Sequence, residues 1–204
     1  RGEMILERLR SRHVNLSEVS ALLATREAIP VVTEPYETVL ATLQPTIVVD
    51  AILAKRNIGT TKSDAALVIG CGPGFVAGKH VVVETMRGHT LGRCIYEGSA
   101  LPNTGIPGNV GGYTHERVMH APEEGLFVAK CHIGDSLEAG AIIGYVGDTP
   151  VRAKITGILR GVLASGILVP KGCKLADIDA RCEERHCIAI SDKALAVGGG
   201  VVEA

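Results

Sequence analysis

Hydrophobic positions in the first half of the chain follow two alternating patterns. Leu16, Val19, Leu22 and Leu23 fall on one helical face, with Asn15 as a cap and Glu18 three residues after it, and the segment is expected to end near Arg26. An apolar run at 29–33 reads as a strand. Pro35 then suits a first helical position, and Tyr36, Val39, Leu40 and Leu43 repeat the i, i+3, i+4, i+7 spacing until Pro45 stops it. The run 46–53, broken only by Asp50, reads as a strand buried on both faces. Three more strands are expected at 65–71, 80–86 and 91–96, close enough together to make the sheet mixed. Short helices between such runs predict an α/β fold, the later part of a Rossmann-like sheet, over residues 1–98.

The texture then changes. Residues 99–113 hold too much Gly, Pro and Asn for a regular element, so 99–116 is expected to be a connecting loop and a candidate binding loop. Beyond it the chain repeats itself. The stretch from Gly125 to Val146 lays over that from Gly157 to Ile178 without a gap, so that Gly134 meets Gly166 and Gly140 meets Gly172. Short strands between Gly turns cannot bury an apolar face alone, and two copies packed face to face predict a quasi-symmetric β sandwich over 117–180. Residues 181–204 are expected to form a C-terminal strand and a Gly-rich helix. Ser191 or Asp192 can cap that helix, and Gly198–Gly200 inside it call for a close neighbour, either a packed strand or a phosphate.

Composition excludes several functions. A formal net charge of -1 and only 3% aromatic residues disfavour nucleic-acid binding, by electrostatics or by stacked rings. Mean hydropathy is +0.25, yet no apolar run approaches the ~20 residues of a membrane span. The opening residues lack the apolar centre of a signal peptide, so the expectation is a cytoplasmic protein, and the missing initial Met suggests a fragment of a longer one. Six cysteines occur without a Cys-x-x-Cys pair. Cys182, His186 and Cys187 are the tightest soft-ligand group, but with no second ligand pair no metal is expected.

Three segments carry candidate chemistry. Lys55, Arg56 and Asn57 follow the 46–53 strand, at the carboxyl edge where open α/β sheets receive ligands. There they could hold a phosphate, the alternative being a solvated loop, and Asp50 could orient either cation. Gly72 and Gly74, in the turn Gly70-Cys-Gly-Pro-Gly-Phe75, suit either a phosphate cradle or a tight structural turn. Glu84, Arg87 and His89 could supply a base and an anion clamp, with Glu84 and His89 as candidate catalytic residues, or could form an ion pair beside a solvent-facing imidazole.

The paired repeats resemble the barrel-sandwich hybrid of biotinyl and lipoyl carriers, whose modified lysine sits between the copies. Here that connection is Gly147-Asp-Thr-Pro150, so neither biotin nor lipoate is expected. The whole chain resembles the accessory family of selenium-dependent molybdenum hydroxylases. The stretches that carry this are 49–60, 72–78, 84–92, 103–109 (Asn-Thr-Gly-Ile-Pro-Gly-Asn) and 191–204. The family's first strand and Gly-Ala-Gly-Asp turn are not among these residues. The resemblance implies a partial Rossmann-like sheet followed by a barrel-sandwich hybrid. It also implies a maturation function in which a phosphorylated cofactor, molybdopterin cytosine dinucleotide or NAD(P), binds at the sheet edge. With the candidates above, Asn103, Thr104 and Asn109 complete the expected ligand-binding set. A molybdenum hydroxylase or its maturation factors would be the partner, and a homodimer is possible. Two alternatives stay open: an enzyme using NAD(P) or a nucleotide, and a pure interaction module.

Overall fold

The computed structural model describes residues 2–204 and divides into two compact units, one running to Thr104 and taking up Ile190–Ala204, the other Gly105–Ala189. Arg1, the first residue of the expected 1–98 domain, lies outside the described residues.

The first unit opens with a hairpin, β1 (Glu3–Leu6) and β2 (Leu9–His13), turning through Glu7 at φ 52°. A single 3-10 turn at Leu16–Glu18 leads into α1 (Val19–Thr25). The Glu18 carboxylate accepts the Asn15 amide N–H at 2.9 Å, closing the helix start, and Arg26 ends it in the left-handed region. Strand β3 (Ile29–Val31) pairs parallel to β2, completing a three-stranded sheet. Helix α2 (Tyr36–Leu43) follows Pro35 and stops at Gln44, φ 44°, just ahead of Pro45.

A second sheet of the same unit has the order β4-β5-β6-β7. Here β4 (Ile47–Asp50), β5 (Leu67–Cys71) and β6 (Val81–Val83) are parallel, and β7 (Cys94–Ile95) returns antiparallel. Side chains alternate between its faces. Ile69, Cys71 and Val83 pack against Val197 of the C-terminal helix α3 (Asp192–Glu203), while Val82 on the opposite face packs with Ala77 and Ala100. Ser191 caps α3 by accepting the Ala194 N–H. Of the three successive glycines only Gly200 touches a neighbour: a Cβ there would stand 2.2 Å from the Gly92 carbonyl oxygen, whereas Gly198 and Gly199 face open space.

The second unit contains β8 (Val118–His120), β9 (Gly125–Ala129), β10 (Ser136–Leu137), β11 (Ile142–Val146), β12 (Thr149–Arg152), β13 (Gly157–Val162), β14 (Ile167–Val169) and β15 (Lys174–Asp179). They form two separate antiparallel sheets, β10-β13-β15-β8 and β12-β11-β9-β14. Each sheet mixes the two sequence repeats, and exchanging the copies turns one strand order into the other. Phe127, Ile143 and Val146 from one sheet and Leu159, Leu175 and Ile178 from the other fill a single core.

The expected fold class is therefore corrected. A Rossmann-like sheet carries its parallel strands on crossover helices. Between β4 and β5, and again between β5 and β6, the chain crosses by loops without a helix, and β1–β3 form a sheet of their own. What was expected as one mixed sheet plus a barrel-sandwich hybrid is a set of small mixed and antiparallel sheets. The expected strand 46–53 is also shorter, because the Asp50 carboxylate accepts the Ile52 amide and Leu53 turns to φ 58°.

Candidate anion-binding site

Three loops leave the carboxyl ends of β4, β5 and β6, and each is shaped by hydrogen bonds that its own sequence supplies. The loop at 51–66 is anchored by Asp50, 6% exposed, whose second oxygen accepts the Thr60 hydroxyl at 2.6 Å. Farther along, Asp64 accepts the Thr61 amide at 2.9 Å and the Tyr36 hydroxyl at 2.6 Å. Burial, then the Asp64 carboxylate, pushes the Tyr36 hydroxyl up to about 12, so it stays a donor. Asn57 folds its amide back onto the loop, accepting the Gly59 N–H and donating to the Thr60 carbonyl. Asp50 thus orders Thr60 and Ile52 and does not orient Lys55 or Arg56, as the sequence had suggested. Lys55, at φ 66°, and Arg56 are exposed, and neither side chain makes a hydrogen bond or ion pair among the described residues.

The glycines of the β5 turn are filled by the protein itself. A Cβ on Gly70 would enter the Phe75 ring, one on Gly72 would meet the Thr85 hydroxyl at 2.6 Å, and one on Gly74 would meet the Asn57 nitrogen at 2.3 Å. Gly74, at φ 103°, therefore seats the backbone of Arg56 and Asn57, and the turn positions the cationic loop.

Glu84, at the end of β6, is 3% exposed, and its carboxylate accepts three backbone amides: Thr85 and Met86 at 2.7 Å and Leu101 at 2.8 Å. A carboxylate so engaged fixes the turn and has little acceptor capacity left for a substrate proton. It also ends the strand expected at 80–86. Glu84→Gln would set an amide NH2 against at least one of those donors, with an expected loss of about 1–3 kcal/mol read as a lower Tm. His89 is exposed. Arg87 reaches Asp192, the first residue of α3, through two bonds of 2.6 and 2.8 Å.

The residue that sequence reading missed is Lys193. Burial, then the nearby Lys55 and Arg87 cations, pull its amine below the ordinary lysine value, with Glu84 opposing. Lys193 thus lies within electrostatic reach of both Lys55 and Arg87, which come from distant stretches of chain, and only the cap at Ser191 hinted that Lys193 opens a helix. Asn103 and Thr104 are exposed in the segment after Leu101. Asn109 belongs to the second unit, where it accepts the Gly112 amide at 3.1 Å. In that unit His186 faces Asp179 at 3.2 Å, while the Cys182 and Cys187 thiols donate to the Ala180 and Leu159 carbonyls. No group of three or more His, Cys, Asp or Glu able to hold a metal ion occurs among the described residues.

No family model matches the chain. It is 45% identical over 205 residues to the uncharacterized protein YqeB of Escherichia coli (strain K12), covering all of this chain but 38% of that protein. Solved structures similar in part include the ectoine utilization protein EutE (DoeB) from Ruegeria pomeroyi, at 18% identity over 41% of this chain and 27% of that one, TM-score 0.29. Another is an aspartoacylase family protein from Mesorhizobium loti, at 14% identity over 78% of this chain and 38% of that one, TM-score 0.30. A third is a succinylglutamate desuccinylase/aspartoacylase from Rhodobacter sphaeroides, at 16% identity over 52% and 28%, TM-score 0.28. At such scores their activities do not transfer to this chain. None of the three solved structures is described as a molybdenum hydroxylase accessory protein. The expected family resemblance, its selenium-dependent character and the maturation function drawn from it are corrected accordingly.

Proposed function

We propose that the first unit is a binding module for a small phosphorylated ligand, received at the carboxyl ends of β4–β6. The observation that carries this reading is the pair Lys55 and Arg56, held on a loop anchored at Asp50 and Asp64 yet without a hydrogen-bond or ion-pair partner among the described residues. Besides burial, Lys55 and Arg87 both depress the Lys193 amine, so an anion arriving at this edge would meet favourable charge from more than the pair alone. Arg supplies a planar fork and lysine a compact charge, a combination suited to phosphate oxygens. The pyrophosphate of a dinucleotide such as NAD(P) presents this chemistry. The Glu84 carboxylate, filled by amides, favours binding over acid–base catalysis as the role of this edge. No helix among the described residues is long and apolar enough to cross a membrane, and a cytoplasmic setting is part of this proposal.

Replacing Lys55 and Arg56 together by Ala removes charge-assisted bonds worth roughly 1.5–3 kcal/mol each. Calorimetric titration with inorganic phosphate should then show affinity at least about tenfold weaker. The melting temperature should hardly move, because exposed cations contribute little to folding. Unchanged affinity in that double variant would overturn the reading.

A further inference from the structure

The outer face of the sheet β12-β11-β9-β14 is apolar and is left open by the described residues. Phe127 points into the core, so its neighbours Leu126 and Val128 point outward, 49% and 36% exposed. Leu168, 69% exposed on the edge strand β14, pairs with Leu126, and Tyr145 lies between Val128 and Pro150. These five side chains make a stripe across all four strands. In the other sheet the equivalent of Leu126 in the second repeat, Ile158, is only 3% exposed. There the chain after β15 folds back against β13, where the 3-10 turn Glu184–Cys187 brings His186 to Asp179 and the Cys187 thiol to the Leu159 carbonyl. One outer face is thus covered by the chain itself, and its counterpart is not.

We propose that a second copy of this chain covers the stripe, the two sheets stacked face to face with their strands antiparallel. The charges at the ends of the stripe select this occupant. Glu124 stands just before β9 and Lys130 just after it, while Asp148 precedes β12 and Arg152 ends it. Strands β9 and β12 run the same way, both antiparallel to β11, so both carboxylates lie at one end and both cations at the other. All four residues are exposed, and none has an ion-pair partner among the described residues. Glu123 adds to the acidic end, and Lys171 and Glu138 lie in turns beside the strands. A two-fold axis between the sheets and perpendicular to the strands sets β9 on the partner's β9 in reverse. Glu124 then faces the partner's Lys130 and Asp148 faces the partner's Arg152, each pair occurring twice. Stacking with parallel strands would instead set carboxylate on carboxylate. Facing sheets pack about 10 Å apart, close enough to remove the stripe from water.

Sedimentation velocity of the full chain over a concentration series tests this. Wild type should form a dimer, and Leu126→Asp and Leu168→Asp should each weaken it at least about tenfold while leaving the melting temperature nearly unchanged. At low salt Glu124→Lys and Lys130→Glu should each weaken self-association by about tenfold, because symmetry makes one reversal meet like charge twice. Mixed in equal amounts, these two variants should associate with each other at least as tightly as wild type with itself, since every facing pair of residues 124 and 130 is again of opposite sign. A chain that stays monomeric throughout the series overturns the proposal and leaves the stripe to a different partner. A dimer unmoved by both leucine substitutions forms elsewhere and overturns it too, as does a mixture of the charge variants that associates no better than either alone.

Discussion

Phe127→Ala is expected to destabilise the second unit by about 3–5 kcal/mol, the usual cost of emptying a large buried aromatic position. Phe127 is 0% exposed, and so is Leu159, the residue at the equivalent place in the second repeat. Both lie in the single core between two sheets that each contain strands from both copies. A cavity at Phe127 is therefore felt by both sheets, and neither repeat can collapse around it independently. The close fit of the Gly144 position, where a Cβ would stand 2.9 Å from the Phe127 ring and 2.5 Å from the Val128 carbonyl oxygen, limits inward movement of β11. Thermal unfolding followed by circular dichroism should show a transition lowered by at least about 12 °C, at roughly 4 °C or more per kcal/mol for a domain of this size. A shift of only a few degrees would mean that the core relaxes to fill the space and that the interlocked packing is looser than described.

The same interlocking marks what could be read from the sequence. The repeat was visible because its glycines recur in step, Gly125 with Gly157 and Gly134 with Gly166. What is not local is the exchange by which β10 of one copy pairs with β13 of the other. That choice is made by core packing, which no periodicity encodes. In the first unit, helices α1 and α2 were legible because a 3.6-residue apolar face coincided with Asn15, Pro35 and Pro45 at their ends. The hairpin β1–β2 was not, since Glu7 and Arg8 occupy a turn that usually advertises itself with Gly or Asn. Strand lengths were overestimated wherever a carboxylate captured backbone amides: Asp50 ends β4 and Glu84 ends β6.

The site divides in the same way. Lys55 and Arg56 stood out because they follow an apolar strand. Glu84 and Gly74 are each open in the sequence to a chemical or a structural reading, and in the folded chain one is engaged by three amides and the other seats the backbone of Arg56 and Asn57. Their contribution is to place the cations. Lys193 comes within electrostatic reach of Lys55 from the far end of the sequence, and only the third dimension brings it there.

Asp179 is the residue whose loss should cost most among the charged groups. It is 1% exposed at the end of β15 and accepts the Arg181 amide at 3.1 Å and the Arg181 guanidinium at 2.9 and 2.6 Å, with His186 at 3.2 Å and Arg160 at 3.8 Å. Asp179→Ala leaves the Arg181 and Arg160 guanidinium groups without the Asp179 counter-charge, an expected loss of about 3 kcal/mol, at the lower end for a broken buried pair because Arg181 keeps some access to water. The hydrogen bonds from Arg181, with help from His186, hold the Asp179 carboxyl far below the ordinary range. A carboxyl lowered by folding contributes its stability above the unfolded value of about 3.9 and loses it as pH falls from there toward the folded value. The conservative variant Asp179→Asn separates charge from shape. Its melting temperature should lie well below that of the wild type at pH 7, and the gap should narrow as the pH is lowered through about 4, because the wild type alone surrenders this contribution. A gap of constant size across that window would show that Asp179 acts through the geometry of its hydrogen bonds and not through its charge.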